Sequence, residues 1–245
     1  MIKKILSNIL TPVYLIVFII LLLIFHPIQM LTNWIWGYPV RKKVVDVLNF
    51  GLLYSLWILG TKITFRGIEK IPLNRPLIIV ANHQSLLDIV AVVVAFRRNH
   101  PKFISKIELG KGIPSVSYNL RHGGSVLIDR KKGAQSVKDI MMLGKHIEAT
   151  NYSACIFPEG TRTKNGLVKT FQPAGIASLM RTAPSAVIVP LAIDGFEIMK
   201  NGYFPISFGC HFKLTALDPI EPKGLNIDEL TLRIENRIKK ELGQI

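Results

Sequence analysis

The sequence predicts an α/β protein: a mixed, largely parallel central sheet flanked by helices, with an N-terminal two-helix membrane anchor. Two observations support this fold class. Residues 5–25 are almost continuously apolar. From residue 61 onward, short apolar runs alternate with helical stretches, as is typical of helices packed on a largely parallel sheet. We therefore expect residues 1–60 to form the anchor and residues 61–245 to form one soluble domain.

The anchor prediction starts from the first apolar segment, because about twenty apolar residues can span the hydrocarbon core of a bilayer. Aromatic and cationic residues typical of a membrane–water interface follow it: Trp34, Trp36, Tyr38 and Arg41-Lys42-Lys43. A cleaved signal peptide is the alternative, but residues 26–30 offer no small-x-small cleavage site. Residues 44–60 form a shorter apolar segment that fits an interfacial or re-entrant helix. Whether the first segment crosses the bilayer stays open.

The soluble domain is expected to alternate between strands and helices. Apolar runs predict strands at residues 77–81, 102–105, 125–128, 154–157, 187–193 and 211–216. Helical spacing predicts helices at residues 86–97, 135–150 and 174–181, and an amphipathic closing helix with Leu230, Ile234, Ile238 and Leu242 on one face. Pro190 lies inside a predicted strand and indicates an edge or a bulge. No internal repeat or linker divides residues 61–245.

Charge is distributed unevenly along the chain. Residues 1–132 hold 18 basic and 5 acidic residues, and residues 133–245 hold 13 and 11. Positive charge therefore accompanies the most apolar half, which favours anionic lipid headgroups or a phosphorylated substrate over nucleic acid. Cys155 and Cys210 are isolated thiols without metal-ligand spacing, and Cys155 is expected to be a small buried core residue.

His83 and Asp88 lie five residues apart where an apolar strand is predicted to end. Within one continuous helix they would point away from each other, so they can meet only if His83 precedes the helix and Asp88 lies in its first turn. An imidazole held by a carboxylate can accept a hydroxyl proton near neutral pH, which suggests acyl or phosphoryl transfer to an alcohol. The alternative is a capping box, in which Ser85 and Asp88 satisfy only the helix N-terminus.

Two further segments place polar residues at strand ends, and a third is a strand with an internal proline. Phe157-Pro158-Glu159-Gly160-Thr161-Arg162 follows a predicted strand and offers a guanidinium suited to phosphate. Gly123-Gly124-Ser125-Val126-Leu127-Ile128-Asp129-Arg130 is a turn and strand that ends in charge, and Val189-Pro190-Leu191-Ala192-Ile193 is the strand with the internal proline. Taken singly, the first segment would more readily be a tight surface turn with a solvated arginine, and the second is equally consistent with a solvated basic corner. Parallel strands would bring these loops together at one edge of the sheet.

In this order, the four segments resemble the motifs of the 1-acyl-sn-glycerol-3-phosphate acyltransferase family, the glycerolipid acyltransferases with a His-x4-Asp motif. Asn82, His83 and Asp88 match the first motif, and 157–162 matches the third without change. In the second motif, Leu127 replaces an aromatic residue; Lys106 resembles the lysine of a Lys-x-Glu-Leu segment. One departure follows the third motif, where many members carry Phe-Lys-x-Gly. This chain has Phe171-Gln172-Pro173, and Lys169 is a candidate replacement for the lysine.

The resemblance implies a membrane-bound enzyme that transfers a fatty acyl group to the sn-2 hydroxyl of lysophosphatidic acid, giving phosphatidic acid. His83 would be the general base and Asp88 its orienting carboxylate. Substrate contacts are expected from Asn82, Lys106, Arg130, Glu159, Gly160, Thr161 and Arg162, with the arginines on the phosphate and Glu159 orienting them or binding an acceptor hydroxyl. The donor would be acyl-CoA or acyl carrier protein, so the catalytic domain would face the cytoplasm, at the plasma or inner membrane if bacterial. Neither a cofactor nor a metal is expected.

Other acceptors and another class of protein remain open from the sequence. The acceptor can instead be another lysophospholipid, a lyso-ornithine lipid or glycerol 3-phosphate. A non-catalytic basic protein that binds membrane lipid or nucleic acid is the alternative from a different class. The joint occurrence of the four motifs disfavours it, and the strands with aromatic residues interleaved among Lys and Arg that would favour RNA binding are absent. Serine esterase, phosphoryl-transfer and zinc-hydrolase motifs are also absent.

Overall fold

The computed structural model describes residues 1–129 and 131–245. Seven strands form one sheet: β1 Lys62–Arg66, β2 Leu77–Ala81, β3 Pro101–Lys106, β4 Val126–Ile128, β5 Ser153–Ile156, β6 Val187–Asp194 and β7 His211–Ala216. The α-helices are α1 Ile2–Trp36, α2 Tyr38–Tyr54, α3 Leu87–Ala95, α4 Val116–His122, α5 Gly133–Thr150, α6 Pro173–Thr182, α7 Phe196–Met199 and α8 Ile227–Glu241. Short 3-10 turns join several of them, the longest at Ser55–Leu59.

The sheet has the strand order β1-β7-β6-β2-β5-β3-β4. The five strands from β6 to β4 pair in parallel, β7 pairs with β6 in the antiparallel sense, and β1 is parallel to β7. The predicted fold class is therefore confirmed, including a sheet that becomes mixed at its later strands. Every residue of β2 is buried, because helices cover both faces of this central strand.

Two hydrophobic cores lie on opposite faces of the sheet. The first joins α1, α2 and α3 to residues such as Ile79 of β2. The second joins α5, α6 and α8 to Ile78 and Val80 of the same strand. Since successive strand residues point to opposite faces, these β2 side chains enter different cores. Cys155 is fully buried in β5, as expected for a small core residue.

The structure corrects several predicted details. β1, α4 and α7 were not predicted, and α3 ends at Ala95 instead of residue 97. β6 lies between β2 and β7, so the edge position suggested by Pro190 is wrong. The proline is tolerated because pairing with β7 breaks beside it: the ladder begins at Leu191, and the Ile188–Ile220 bridge stands apart.

α1 has its polar and apolar faces reversed relative to a helix of a soluble protein. Its buried residues include polar ones, Ser7, Thr11, Gln29 and Thr32. Its exposed residues are large and apolar, among them Ile5, Ile9, Val13, Ile16, Ile20, Leu23, Ile24 and Leu31. Among the described residues, α1 alone is long and apolar enough to cross a membrane, and 17% of its most apolar window is buried. This exposed apolar face indicates membrane association.

Hydrogen bonds fasten α1 to the domain at two places. Near its start, Thr11 Oγ1 accepts from the main-chain N–H of Ile206 at 3.0 Å. Farther along, the Oγ of Ser115 donates to the carbonyl of Leu22 at 2.7 Å. The helix therefore lies along the domain instead of projecting from it. The division of the chain at residue 60 into anchor and domain stays a prediction.

Candidate active site

The polar loops of the sequence analysis converge because five adjacent strands run in parallel. In the order β6, β2, β5, β3, β4 their C-terminal ends share one edge of the sheet. His83 follows β2 by two residues and Glu159 follows β5 by three. β2 and β5 are neighbours in register, with Val80 opposite Ile156, so the two loops begin side by side. This edge is where open α/β sheets place their ligands.

His83 and Asp88 are in direct contact. The Nδ1 atom of His83 lies 2.8 Å from Oδ2 of Asp88. α3 begins at Leu87, so His83 precedes the helix and Asp88 is its second residue, as the five-residue spacing requires. An ionised carboxylate can only accept, so Nδ1 donates this hydrogen bond, and in the neutral imidazole the lone pair then lies on Nε2. The imidazole is thereby fixed in the tautomer that can act as a base.

Asp88 also caps α3. Its Oδ2 accepts from the main-chain N–H groups of Gln84 and Ser85, at 2.7 and 2.9 Å. Its Oδ1 accepts from the hydroxyl of Ser85 at 3.1 Å, and that hydroxyl accepts from the N–H of Leu87. The Ser85–Asp88 pair predicted as a capping box is therefore bonded together with the histidine contact, although Ser85 lies one residue before the N-cap, Leu86. Asp88 is fully buried, so these donors replace the water that a buried carboxylate loses.

Glu159 supports His83 from the neighbouring strand end. Its Oε1 accepts from the main-chain N–H of His83 at 2.8 Å. Its Oε2 is buried and has no hydrogen-bond partner among the described residues. Burial raises the pKa of this carboxyl above its usual value, while main-chain hydrogen bonds from His83 and Lys169 oppose the rise. Glu159 thus fixes the backbone of His83 and keeps one oxygen for a further donor.

The loop after β5 packs on His83. The ring of Phe157 stacks on the imidazole, with ring centroids 4.2 Å apart. The N–H of Thr163 donates to the carbonyl of His83 at 2.9 Å. Gly160 has φ +72°, a left-handed conformation that glycine adopts without strain, and this lets the loop turn beside the histidine. The contribution of Thr163 was not predicted, because its donor is a main-chain N–H, which every residue type except proline carries.

Lys169 forms hydrogen bonds with the same loop. Its Nζ donates to the hydroxyl of Thr161 at 2.8 Å and to the carbonyl of Arg162 at 2.7 Å. The side chain of Arg162 is exposed and makes no hydrogen bond or ion pair with the other described residues. Lys169, singled out as a replacement for the missing motif lysine, therefore holds the main chain that presents this guanidinium. The predicted substrate contacts of Thr161 and Arg162 stay predictions.

The remaining predicted contact residues lie in different settings. Asn82 is fully buried and bridges β2 to β6: its Nδ2 donates to the carbonyl of Ile193 at 2.9 Å, and its Oδ1 accepts from the N–H of Ile193 at 2.7 Å. Both polar atoms of the amide are thus engaged with β6. Lys106 is exposed at the C-terminal end of β3, on the same edge as His83. Arg130 lies outside the described residues.

No metal centre is evident in the described part of the chain. Across residues 1–129 and 131–245, His, Cys, Asp and Glu side chains form no group of three or more suited to an ion. The groups gathered at the edge are an imidazole with an oriented tautomer, two buried carboxylates and exposed cations. Such an arrangement can remove a proton from a hydroxyl and attract an anionic substrate.

Comparison with known proteins agrees with this arrangement. The model of the Acyltransferase family matches residues 62–194, more than half of the chain. The chain belongs to this family. The match covers β1 to β6 and so includes every predicted site residue. The protein is therefore an acyltransferase, and the C-terminal edge of its parallel strands carries the His83–Asp88 pair.

Similar proteins extend the comparison beyond this domain. The chain is 24% identical over 195 residues to mouse 1-acyl-sn-glycerol-3-phosphate acyltransferase alpha, covering 78% of this chain and 67% of that one. It is 28% identical over 196 residues to 1-acyl-sn-glycerol-3-phosphate acyltransferase of Borreliella burgdorferi, covering 78% and 76%. The crystal structure of the 1-acyl-sn-glycerophosphate (LPA) acyltransferase PlsC from Thermotoga maritima has a TM-score of 0.81 at 22% identity, covering 99% and 97%. This likeness shows a shared fold that includes the N-terminal helices.

Proposed function

We propose that the protein transfers a fatty acyl group from an acyl thioester to the sn-2 hydroxyl of lysophosphatidic acid, producing phosphatidic acid. The observation that carries this proposal is the 2.8 Å contact between His83 Nδ1 and Asp88 Oδ2 at the C-terminal edge of the parallel strands. The relatives named as 1-acyl-sn-glycerol-3-phosphate acyltransferases support this choice of acceptor.

His83 is the general base in this proposal. With Nδ1 donating to Asp88, the lone pair on Nε2 accepts the proton of the acceptor hydroxyl. The hydroxyl oxygen then attacks the thioester carbonyl carbon, forming a tetrahedral intermediate with a negatively charged oxygen. The intermediate collapses by breaking the carbon–sulfur bond, and the leaving thiolate takes the proton back from His83. The thioester supplies a good leaving group, so the reaction proceeds without an acyl-enzyme and requires no cofactor.

Asp88 lowers the cost of the charge that develops on His83. When the imidazole gains the second proton, it becomes an imidazolium beside a buried carboxylate. Orientation and charge stabilisation of this kind belong to the carboxylate of a catalytic triad. General base catalysis typically contributes about 10²–10⁴-fold in rate. Glu159 and the stacked ring of Phe157 fix the position from which the imidazole acts.

Cations near His83 are proposed to hold the phosphate of the acceptor. Arg162 follows the Glu159 loop, with its guanidinium exposed and its main chain held by Lys169. Lys106 lies on the same edge of the sheet, and Arg130 is assigned the same role from its motif. A guanidinium binds phosphate through two parallel hydrogen bonds, which orients the substrate as well as attracting it. Glu159 Oε2 is left to accept from a substrate hydroxyl or an arginine.

The N-terminal helices place the site at the membrane in this proposal. α1 exposes an apolar face along its length, while its buried face is bonded to the domain. In this proposal α1 lies in the lipid surface with its apolar face towards the bilayer, and its bonded face keeps the domain beside it. Lysophosphatidic acid and its product reside in that surface, and the soluble donor, acyl-CoA or acyl carrier protein, approaches from the cytoplasm.

The decisive experiment measures acyl transfer by the purified protein from oleoyl-CoA to lysophosphatidic acid. Wild type should form phosphatidic acid, and His83→Ala should lose activity by at least about 10²-fold while remaining folded. If His83→Ala were as active as wild type, the proposed base would be wrong. If charge reversal at residues 41–43 abolished function while His83→Ala did not, a non-catalytic lipid-binding protein would be indicated. A panel of lysophospholipids, lyso-ornithine lipid and glycerol 3-phosphate tests the acceptor.

A further inference from the structure

Exposed aromatic residues gather beside the N-terminal half of α1. Tyr203 and Phe204 lie in the loop between α7 and β7, with 63% and 55% of their surfaces exposed. Trp57, in the 3-10 turn after α2, is 64% exposed. Large aromatic side chains normally bury much of their area. A group of them exposed on the surface therefore suggests a site that contacts a membrane or another protein. Neither the proposed chemistry nor the α1 contact accounts for these three residues.

The loop at residues 200–209, which we call the aromatic loop, is bonded directly to α1. Ile206 exchanges two hydrogen bonds with the hydroxyl of Thr11, and the N–H of Phe208 donates to Ser7 Oγ at 2.9 Å. The turn that carries Trp57 joins the same loop, because the N–H of Gly209 donates to the carbonyl of Leu59 at 2.8 Å. The aromatic loop therefore keeps a fixed position relative to the apolar face of α1.

The backbone of the aromatic loop sets how deeply it can enter lipid. Residues 200–205 form turns and belong to no strand or α-helix, so most of their main-chain polar groups need water. Such a backbone is excluded from the hydrocarbon core but is accommodated among the headgroups. Tyr and Trp rings are suited to that level, since each combines an apolar body with a polar atom.

We propose that the aromatic loop is a second membrane contact, with Tyr203 and Phe204 entering the headgroup layer beside α1. This inference rests on the membrane placement of α1 in the proposed function. A single helix lying in a surface leaves the domain able to roll about the helix axis. A second contact displaced from that axis stops the rolling and holds the domain at one angle. The aromatic loop follows β6, whose C-terminal end lies on the edge that carries His83, so the fixed angle also fixes how the site meets lipid.

Spin labels on the full-length protein test this contact independently of enzyme activity. In a Cys210→Ser background, with Cys155 fully buried, a nitroxide is attached at Tyr203→Cys or Phe204→Cys. Ile16→Cys on α1 is the lipid reference, and Asp228→Cys on α8, across the sheet, is the water reference. The protein is bound to vesicles of phosphatidylethanolamine and phosphatidylglycerol. We expect collisions with oxygen to exceed those with a water-soluble nickel chelate at 203, 204 and 16, and the reverse at 228.

The outcomes separate the two proposals. If labels at 203 and 204 behave like the one at 228 while 16 reports lipid, the second contact is refuted and α1 still lies in the membrane. If the label at 16 also reports water, the membrane placement itself fails and the second contact fails with it.

In a second test, Tyr203→Ser/Phe204→Ser should slow acylation of vesicle-held lysolipid by roughly tenfold, and leave the rate in detergent micelles unchanged. An equal loss in Leu232→Ser, an exposed apolar residue on α8, would overturn the explanation.

Discussion

Replacing Asp88 with Asn tests whether this side chain contributes charge or only shape. The amide oxygen of Asn can occupy the position of Oδ2, which lies within 2.9 Å of the His83 ring and of two main-chain N–H groups. Its NH2 group then faces the Ser85 hydroxyl, which can accept as well as donate. The variant therefore keeps its hydrogen bonds but loses their charge assistance. We expect it to fold, with an unfolding free energy lower by about 1–3 kcal/mol.

The effect of Asp88→Asn on the rate follows from the charge pair that forms during proton transfer. Two unit charges about 4 Å apart attract by about 4 kcal/mol at an effective dielectric constant of about 20. Since each 1.4 kcal/mol corresponds to a factor of about ten, kcat should fall by about 10³-fold. The assay measures initial rates of phosphatidic acid formation at saturating substrates, beside circular dichroism melts. A folded variant that retained more than about a tenth of wild-type kcat would refute the role of this carboxylate.

Three further predictions concern the stability of the fold. Burial lowers the pKa of Lys102 to about 7, so its unfavourable contribution to stability is absent above pH 10.5 and grows as the pH falls to about 7. Lys102→Met should therefore flatten the pH dependence of the unfolding free energy between pH 7 and 10 by a few kcal/mol, as measured by urea titration. A Cβ on Gly144 would lie 2.0 Å from the hydroxyl oxygen of a threonine in α6. Gly144→Ala should therefore lower the free energy of unfolding in thermal melts by about 1–3 kcal/mol. Gly133→Ala, whose Cβ would meet open space, should leave it unchanged. Asn82→Ala should lower the unfolding free energy by roughly 2–4 kcal/mol, because it leaves the N–H and C=O of Ile193 unpaired; an unchanged urea midpoint would contradict this.

The elements that sequence predicted best are those whose pattern is local. β2 is apolar at every position because it is covered on both faces, and its predicted bounds agree with the structure. β1 was not predicted because its alternating residues at Lys62–Arg66 are partly exposed and resemble a surface loop. It becomes a strand only by pairing with β7, about 150 residues later in the chain. Pairing between distant segments is a tertiary property that local periodicity does not contain.

The contacts of the candidate site likewise include some that the sequence could predict and some that it could not. Contact between His83 and Asp88 could be derived, because the spacing permits one arrangement relative to the start of α3. The bond from Glu159 to the main chain of His83 could not, because it depends on β2 and β5 being neighbours. Asn82 was assigned to substrate contact from its motif, and in the structure its side chain bridges two strands. The sequence does not indicate which hydrogen-bond partner a buried amide will have.

The spacing of His83 and Asp88 couples the start of a helix to the proposed chemistry. The Asp88 carboxylate, in the first turn of α3, accepts from the N–H groups of Gln84 and Ser85 in the preceding turn while it also accepts from the imidazole. Successive helical residues are rotated by about 100°, so moving the carboxylate by one position would remove it from all these donors together. Fraying of the first turn of α3 would likewise release the imidazole. One carboxylate therefore holds both the turn before α3 and the orientation of the base, and the stability of this turn is a condition of the activity proposed for His83.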